Sequence, residues 1–222
     1  MDALWIVGFW LLFAGSHIGL SSRRLRPALV ARLGDRGFLG VYSLVAFATF
    51  VPLVSSFYAH RHTGPFLWYL AQLPGVPWLA TGVMGAAFVL VVASFVQPGP
   101  AGMQAGEPVV RGVARITRHP LFMGFGLWGV AHLMLAKVFV SELAFFGGFA
   151  IFAVVGSDHQ DQRKIATQGE RYRVWVAATP FLPFSKLGFL RGLVELPLPI
   201  AAAVGIALAW ALRRYAHAWL AG

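Results

Sequence analysis

No cysteine occurs anywhere in the 222 residues, which excludes disulfides, thiolate metal sites and thiol catalysis. Charge is scarce as well. Asp, Glu, Lys and Arg make up 12% of the chain, against roughly 25% in a soluble domain. Carboxylates are the scarcer kind: 8 Asp and Glu stand against 18 Lys and Arg, giving a formal net charge of +10. Apolar residues fill the gap at 58%, a composition that points to a membrane protein rather than a globular core. The positive balance does not imply a nucleic-acid partner, because the basic residues flank apolar runs instead of gathering into one patch. Met1-Asp2-Ala3 lacks the positive n-region of a signal peptide, and no A-x-A-like cleavage site follows the first apolar run, so that run reads as an anchor. No repeat of fixed period stands out, and one domain over 1–222 is expected.

Six apolar segments have a length suited to a bilayer, for which a helix needs roughly 17–25 residues. They run Leu4–Ser21, Phe38–Ala59, Trp78–Val96, Leu121–Ala136, Phe139–Gly156 and Leu196–Leu212. The fold expected is therefore all-α, a polytopic membrane bundle of about six helices. The fourth and fifth segments meet almost without a loop at Lys137, which predicts a tight antiparallel hairpin. Pro52 falls mid-segment in the second and predicts a kink there.

Basic residues set the orientation. Arg23, Arg24, Arg26, Arg32 and Arg36 follow the first segment, and Arg111, Arg115 and Arg118 follow the third. Arg163, Lys164, Arg171, Arg173, Lys186 and Arg191 follow the fifth. These three loops share a side, leaving only Arg61, Lys137, Arg213 and Arg214 opposite. By the positive-inside rule the rich loops are cytoplasmic and both termini lie outside, as expected for a bacterial inner membrane. Trp5, Trp68, Trp78 and Trp219 then form an aromatic belt at the outer interface. The stretch Asp158–Phe184 is amphipathic and is expected to lie along the inner interface.

His17 and His132 are the clearly ionisable side chains placed well inside these segments. A titratable group in lipid costs roughly 2.5–3.5 kcal/mol at a helix centre, so it marks a function by default, and imidazole is the residue that ligates haem iron from a bundle. His119 precedes Pro120, a residue suited to the first helical position, and so sits at the start of the fourth segment. With Arg115 and Arg118 nearby, that helix start is a candidate anion site. His60, His62 and His159 read as solvated or headgroup-facing, and His217 has no assigned role. At about 1.5 Å rise per residue, His17 lies about 9 Å inward from Arg23 and His132 about 20 Å inward from His119. The spacing leaves both a His17–His132 pair and a His17–His119 pair open.

The pattern Arg115-Ile116-Thr117-Arg118-His119-Pro120, continuing through Gly124 and Trp128 to Ala131-His132, resembles the NnrU family and its plant and cyanobacterial relative, zeta-carotene isomerase. Three further stretches carry the resemblance in order: Gly15 to Arg23, His60 to Trp68, and Asp161 to Phe184. The Arg-His-Pro core is also similar to that of isoprenylcysteine carboxyl methyltransferases. What the resemblance implies is a haem b held by His17 and His132 and a lipophilic polyene as substrate. The reaction implied is cis–trans isomerisation of a zeta-carotene-like molecule, with Arg115, Arg118 and His119 assigned to the cofactor side. Two alternatives accompany it: an accessory of nitrite and nitric oxide respiration, and an S-adenosylmethionine-dependent methyltransferase with Arg118 and His119 at the cofactor. One departure matters. Gly129 stands where the plant pattern has a cysteine, so no thiolate can exchange with a histidine here.

Overall fold

The computed structural model describes residues 2–101, 108–195 and 197–211. Every expected apolar segment is a helix: α1 (Asp2–Leu20), α2 (Leu25–Ala59), α3 (Val76–Val96), α4 (Pro120–Leu135), α5 (Val140–Gln168) and, after the short α6 (Glu170–Ala178) and α7 (Phe189–Val194), α8 (Leu198–Ala211). Helices α1, α2, α3 and α5 are long and apolar enough to cross a membrane, while α4 and α8 are shorter apolar helices. The protein is a helical membrane bundle. Arg213, Arg214, His217 and Trp219 lie outside the described residues.

The helices pack in a row. α1 lies between α2 and α5, α5 meets α4, α4 meets α3, and α3 meets α8. Between helices in lipid the hydrophobic effect gives little, so close contact and hydrogen bonds must hold them together. Both are present. The Trp10 indole N–H on α1 donates to the Phe145 carbonyl on α5 at 3.1 Å. A Cβ at Gly129 would stand 2.4 Å from the Phe146 carbonyl oxygen, and one at Gly124 would stand 2.9 Å from that of Ala87. Only glycine lets α4 approach α5 on one side and α3 on the other this closely. The outward faces of α1 and α2 carry exposed Leu11, Leu44 and Phe47, as lipid contact requires. An antiparallel pair of short strands, β1 (Phe66–Trp68) with β2 (Val138–Phe139), closes the end where α2 stops and α5 starts, in the register Phe66 with Phe139 and Trp68 with Val138. The tight hairpin expected at Lys137 is this α4–β2–α5 turn.

Three expectations change. Arg26, Arg32 and Arg36 are not in a loop, because α2 begins at Leu25 and carries all three on its first turns. α2 also carries an unexpected break at Gly34, with φ 70° and ψ 167°, and Pro52 lies within its helical span. Glycine alone adopts that backbone region at little cost. Finally, Asp158–Gln168 does not lie along an interface but prolongs α5 by some three turns past Gly156. The chain first turns aside at Gly169, whose φ is 65°.

Candidate functional site

The α1–α2 junction, the start of α4 and the ends of α3 and α5 gather at one end of the row, here termed the basic end. A carboxylate organises it. Asp161, buried on the extension of α5, accepts a hydrogen bond on Oδ2 from Arg118 Nε at 2.7 Å and one on Oδ1 from the Tyr172 hydroxyl at 2.7 Å. His119 Nε2 approaches Oδ1 to 3.0 Å, although the ring is not aligned for a hydrogen bond and its Nδ1 has no partner either. Arg118 also donates from Nη1 to the Thr179 carbonyl at 3.0 Å and lies 5.0 Å over the Phe181 ring. Thr117 donates to the Phe181 carbonyl at 2.6 Å. The segment before α4 is thus laced to the segment after α6 through one aspartate. Tyr172 belongs to this lacing as a donor only. Burial first, and then its bond to the Asp161 charge, push its hydroxyl pKa well above the ordinary range.

Arg115 belongs to a separate clasp. Its Nε donates to both carboxylate oxygens of Glu195 at 3.0 Å, and the Gly112 N–H donates to the same group at 2.7 Å. These donors, the backbone one foremost, hold the Glu195 carboxyl below the usual carboxylate range. Arg115, Arg118 and His119, expected to face a cofactor, therefore all face carboxylates of the chain itself. Sequence reading named the two arginines and the histidine and missed Asp161, Tyr172 and Glu195. With so few carboxylates in the chain, a carboxylate set among basic residues beside an apolar helix was the available signal.

His17 sits near the basic end of α1. Its ring lies 4.4 Å from Phe13, 4.8 Å from Tyr42 and 5.8 Å from Phe152. It lines a small cavity of about 60 Å³ together with Phe122, Gly156 and Arg163. His159, expected at the interface, lines the same cavity. A larger cavity of about 640 Å³ adjoins it, with Ser21, Tyr42, Gln160 and Arg163 common to both.

His132 sits near the opposite end of α4. Its Nδ1 is 2.9 Å from the Trp128 carbonyl, and its ring stacks on Phe146 at 4.6 Å and 13°. The two α5 phenylalanines that meet these histidines, Phe152 and Phe146, are six residues apart, or about 9 Å along the helix. The level between is filled: Phe149 packs edge-on against Trp10 at 4.9 Å and Trp128 at 5.0 Å. Axial ligands must face each other across one iron. Imidazoles in an apolar, aromatic setting suit haem by donor type, but as arranged these two do not converge, and the pair does not fit a single haem iron. Among the described residues no group of three or more His, Cys, Asp or Glu side chains is placed to hold a metal ion. The contact of Gly129 with Phe146 also gives its glycine a reason in this chain: a cysteine there would collide with α5.

Known proteins extend this picture. The chain is 29% identical over 182 residues to the chloroplastic 15-cis-zeta-carotene isomerase of Arabidopsis thaliana, covering 80% of this chain and 48% of that protein. It is 25% identical over 184 residues to the enzyme of the same name from Zea mays, with the same coverage. The chain thus spans about half the length of the curated relatives it matches. No solved structure matches it significantly. The family model for the NnrU protein matches residues 5–222, nearly the whole chain, and the protein belongs to that family.

Proposed function

We propose that this protein is an integral membrane isomerase that changes the double-bond geometry of a long, conjugated, carotene-like hydrocarbon. The similarity to two 15-cis-zeta-carotene isomerases across 80% of the chain carries the reading. The architecture supports it. A hydrocarbon polyene dissolves in the bilayer and offers no polar group to recognise, so its site must be apolar and reachable from lipid. Between α1, α2 and α5 the half-buried Phe13, Phe50 and Phe152 stand in ring contact backed by the buried Phe149, and the three half-buried rings are the wall against which a flat conjugated chain stacks. Offset and edge-on contacts of this kind contribute about 0.5–1.5 kcal/mol per pair beyond the area they cover.

The chain's own part in the reaction is to take the polyene from the bilayer, hold it along this wall and keep water away. His17 and Tyr42 mark the end of the wall nearest the basic end, where the aromatic lining gives way to polar groups. Haem b is the cofactor implied by the family resemblance, and because His17 and His132 do not meet, no step is assigned to it.

The test is conversion of a 15-cis polyene of the zeta-carotene type by the purified protein in liposomes, followed by separation of isomers. Preparations from haem-replete and haem-depleted cells are assayed side by side. Faster isomerisation than in empty liposomes, slowed by Phe152→Ala, is expected. No conversion by either preparation would sink the reading.

A further inference from the structure

The larger cavity at the basic end carries a feature that a hydrocarbon substrate does not use. Five cationic side chains line it: Arg23, Arg26, Arg163, Lys164 and Arg171. Among the described residues no Asp or Glu lines it. The nearby carboxylate, Asp161, is already engaged by Arg118, His119 and Tyr172, and Asp158 is bonded to Gln162 at 2.6 Å. Arg163 Nε is buried without a hydrogen-bond partner. Burying a charged donor without an acceptor is costly, and among the described residues no carboxylate answers Arg163, so the cavity suits an anion from outside the bundle.

Its other wall is apolar. Phe38, Leu39 and Tyr42 of α2 face the cations, with Arg26 held 5.2 Å over the Phe38 ring. Leu39 is 49% exposed on the lipid side of α2. At about 640 Å³ the cavity is far larger than a phosphate ion needs and lies within the roughly 300–1,000 Å³ of small-molecule sites. It stands at the helix ends, where basic side chains meet lipid headgroups. Guanidinium groups match phosphate oxygens in forked pairs.

We infer that this cavity is a binding site for the phosphate headgroup of an anionic phospholipid, with Arg163 and Arg26 as its main ligands and the acyl chains leaving past Phe38 and Leu39. The uncharged carotene-like substrate occupies the aromatic wall, and the lipid site is separate from it. Because the cavity adjoins the His17 pocket through Tyr42 and Arg163, the headgroup also plugs that pocket against water.

The test uses the full chain in nanodiscs or detergent, with phosphatidic acid in phosphatidylcholine as the probe and lipid retention read by native mass spectrometry. Thermal stabilisation by the added lipid is the second measurement. Selective retention of phosphatidic acid over phosphatidylcholine is expected. Arg163→Gln and Arg26→Gln should each weaken retention about fivefold, the factor that corresponds to one basic contact at a membrane surface. Arg163→Lys should restore part of it. Arg173→Gln, an exposed residue paired with Glu170, should change nothing. If Arg163→Gln does not fold, Arg26→Gln and the wild-type selectivity still decide the matter. Equal retention of the two lipids overturns the proposal. Equal stabilisation by inorganic phosphate alone overturns it too, by removing the lipid. Retention of haem in place of phospholipid, lost in the same two variants, would give the cavity to the carboxylates of a cofactor and likewise overturn it.

Discussion

The two ends of α5 each bury one carboxylate with a histidine nitrogen about 3 Å away, and the two sites behave differently. At the start of α5, Glu142 accepts from the backbone N–H groups of His62 at 2.9 Å and Phe139 at 3.0 Å, and from the Ser141 hydroxyl at 3.1 Å. Its histidine neighbour, His62, is 58% exposed. On the extension of α5, Asp161 is held by the side chains of Arg118 and Tyr172, drawn from two other segments, with His119 beside it. The first carboxylate staples backbone: it caps a helix and ties down the turn that carries β1. The second ties side chains, one of them cationic at any pH. A cap of the first kind serves the fold alone. A charge hub of the second kind also decides which cations at the basic end are occupied and which are left over, and among the described residues Arg163 is left with a buried, unpartnered donor.

Breaking the hub should have the largest effect. Asp161→Ala takes the carboxylate from the half-buried Arg118, which keeps only the Thr179 carbonyl, and the cost should approach the ~3–5 kcal/mol of breaking a buried pair. Thermal unfolding in detergent should fall accordingly, or the protein should fail to accumulate. A mild effect would mean that water reaches Arg118 and that the two ends are alike. Glu142→Ala leaves two backbone N–H groups and a hydroxyl without their acceptor, at about 1–3 kcal/mol for a buried group. Hydrogen exchange should quicken at His62 and Phe139 and stay unchanged at Arg118. Spread of the effect to the basic end would break the comparison. His62→Gln, which removes only an exposed partner, should stay within ~0.5 kcal/mol of wild type.

Acid separates the ends in a finer way. The Glu195 carboxyl is held below its ordinary pKa by the Gly112 N–H and Arg115. A carboxyl lowered on folding contributes stability that is fully present above the unfolded pKa, about 4.3 for Glu. That contribution is lost as pH falls through the lower, folded value. The Gly112 amide resonance should therefore move only at a pH below the normal carboxylate range, and an inflection above it would contradict the clasp.

The histidines give the last comparison. His132→Ala should disturb the contacts with Trp128 and Phe146, and His17→Ala those with Phe13, Tyr42 and Phe152 beside the small cavity; the two sets share no residue, so their effects on stability should add. Should the purified protein carry a low-spin b-type haem that both variants abolish, α1 and α4 must shift by several ångströms around the cofactor, and the separation of the two ends would not survive loading.

What the sequence made legible follows the range of the physics involved. Apolar runs are local, and all six became helices. Pro120 after His119 marked the start of α4 correctly, since a helix start is also a local event. The hub was not legible because Arg118 lies 43 residues from Asp161 and 61 from Thr179, and no periodicity links them. The prolongation of α5 was misread because Asp158 to Lys164 is polar, and polarity was taken to end the span. In the structure those residues instead line cavities and pair within the bundle. His17 and His132 were placed on the right helices, but helix register alone could not show that Phe149 fills the level between them.

Helix α4 has one more consequence. With 16 residues it is about 24 Å long, while the hydrocarbon layer of an ordinary bilayer is about 30 Å thick. Its neighbours α3 and α5 are longer and clasp it through glycine, so it cannot tilt or stretch independently to make up the shortfall. The surrounding lipid must deform to meet it, with a cost of fractions of a kcal/mol per Å of mismatch. Membrane thickness thereby becomes a variable to which the stability of this bundle should respond.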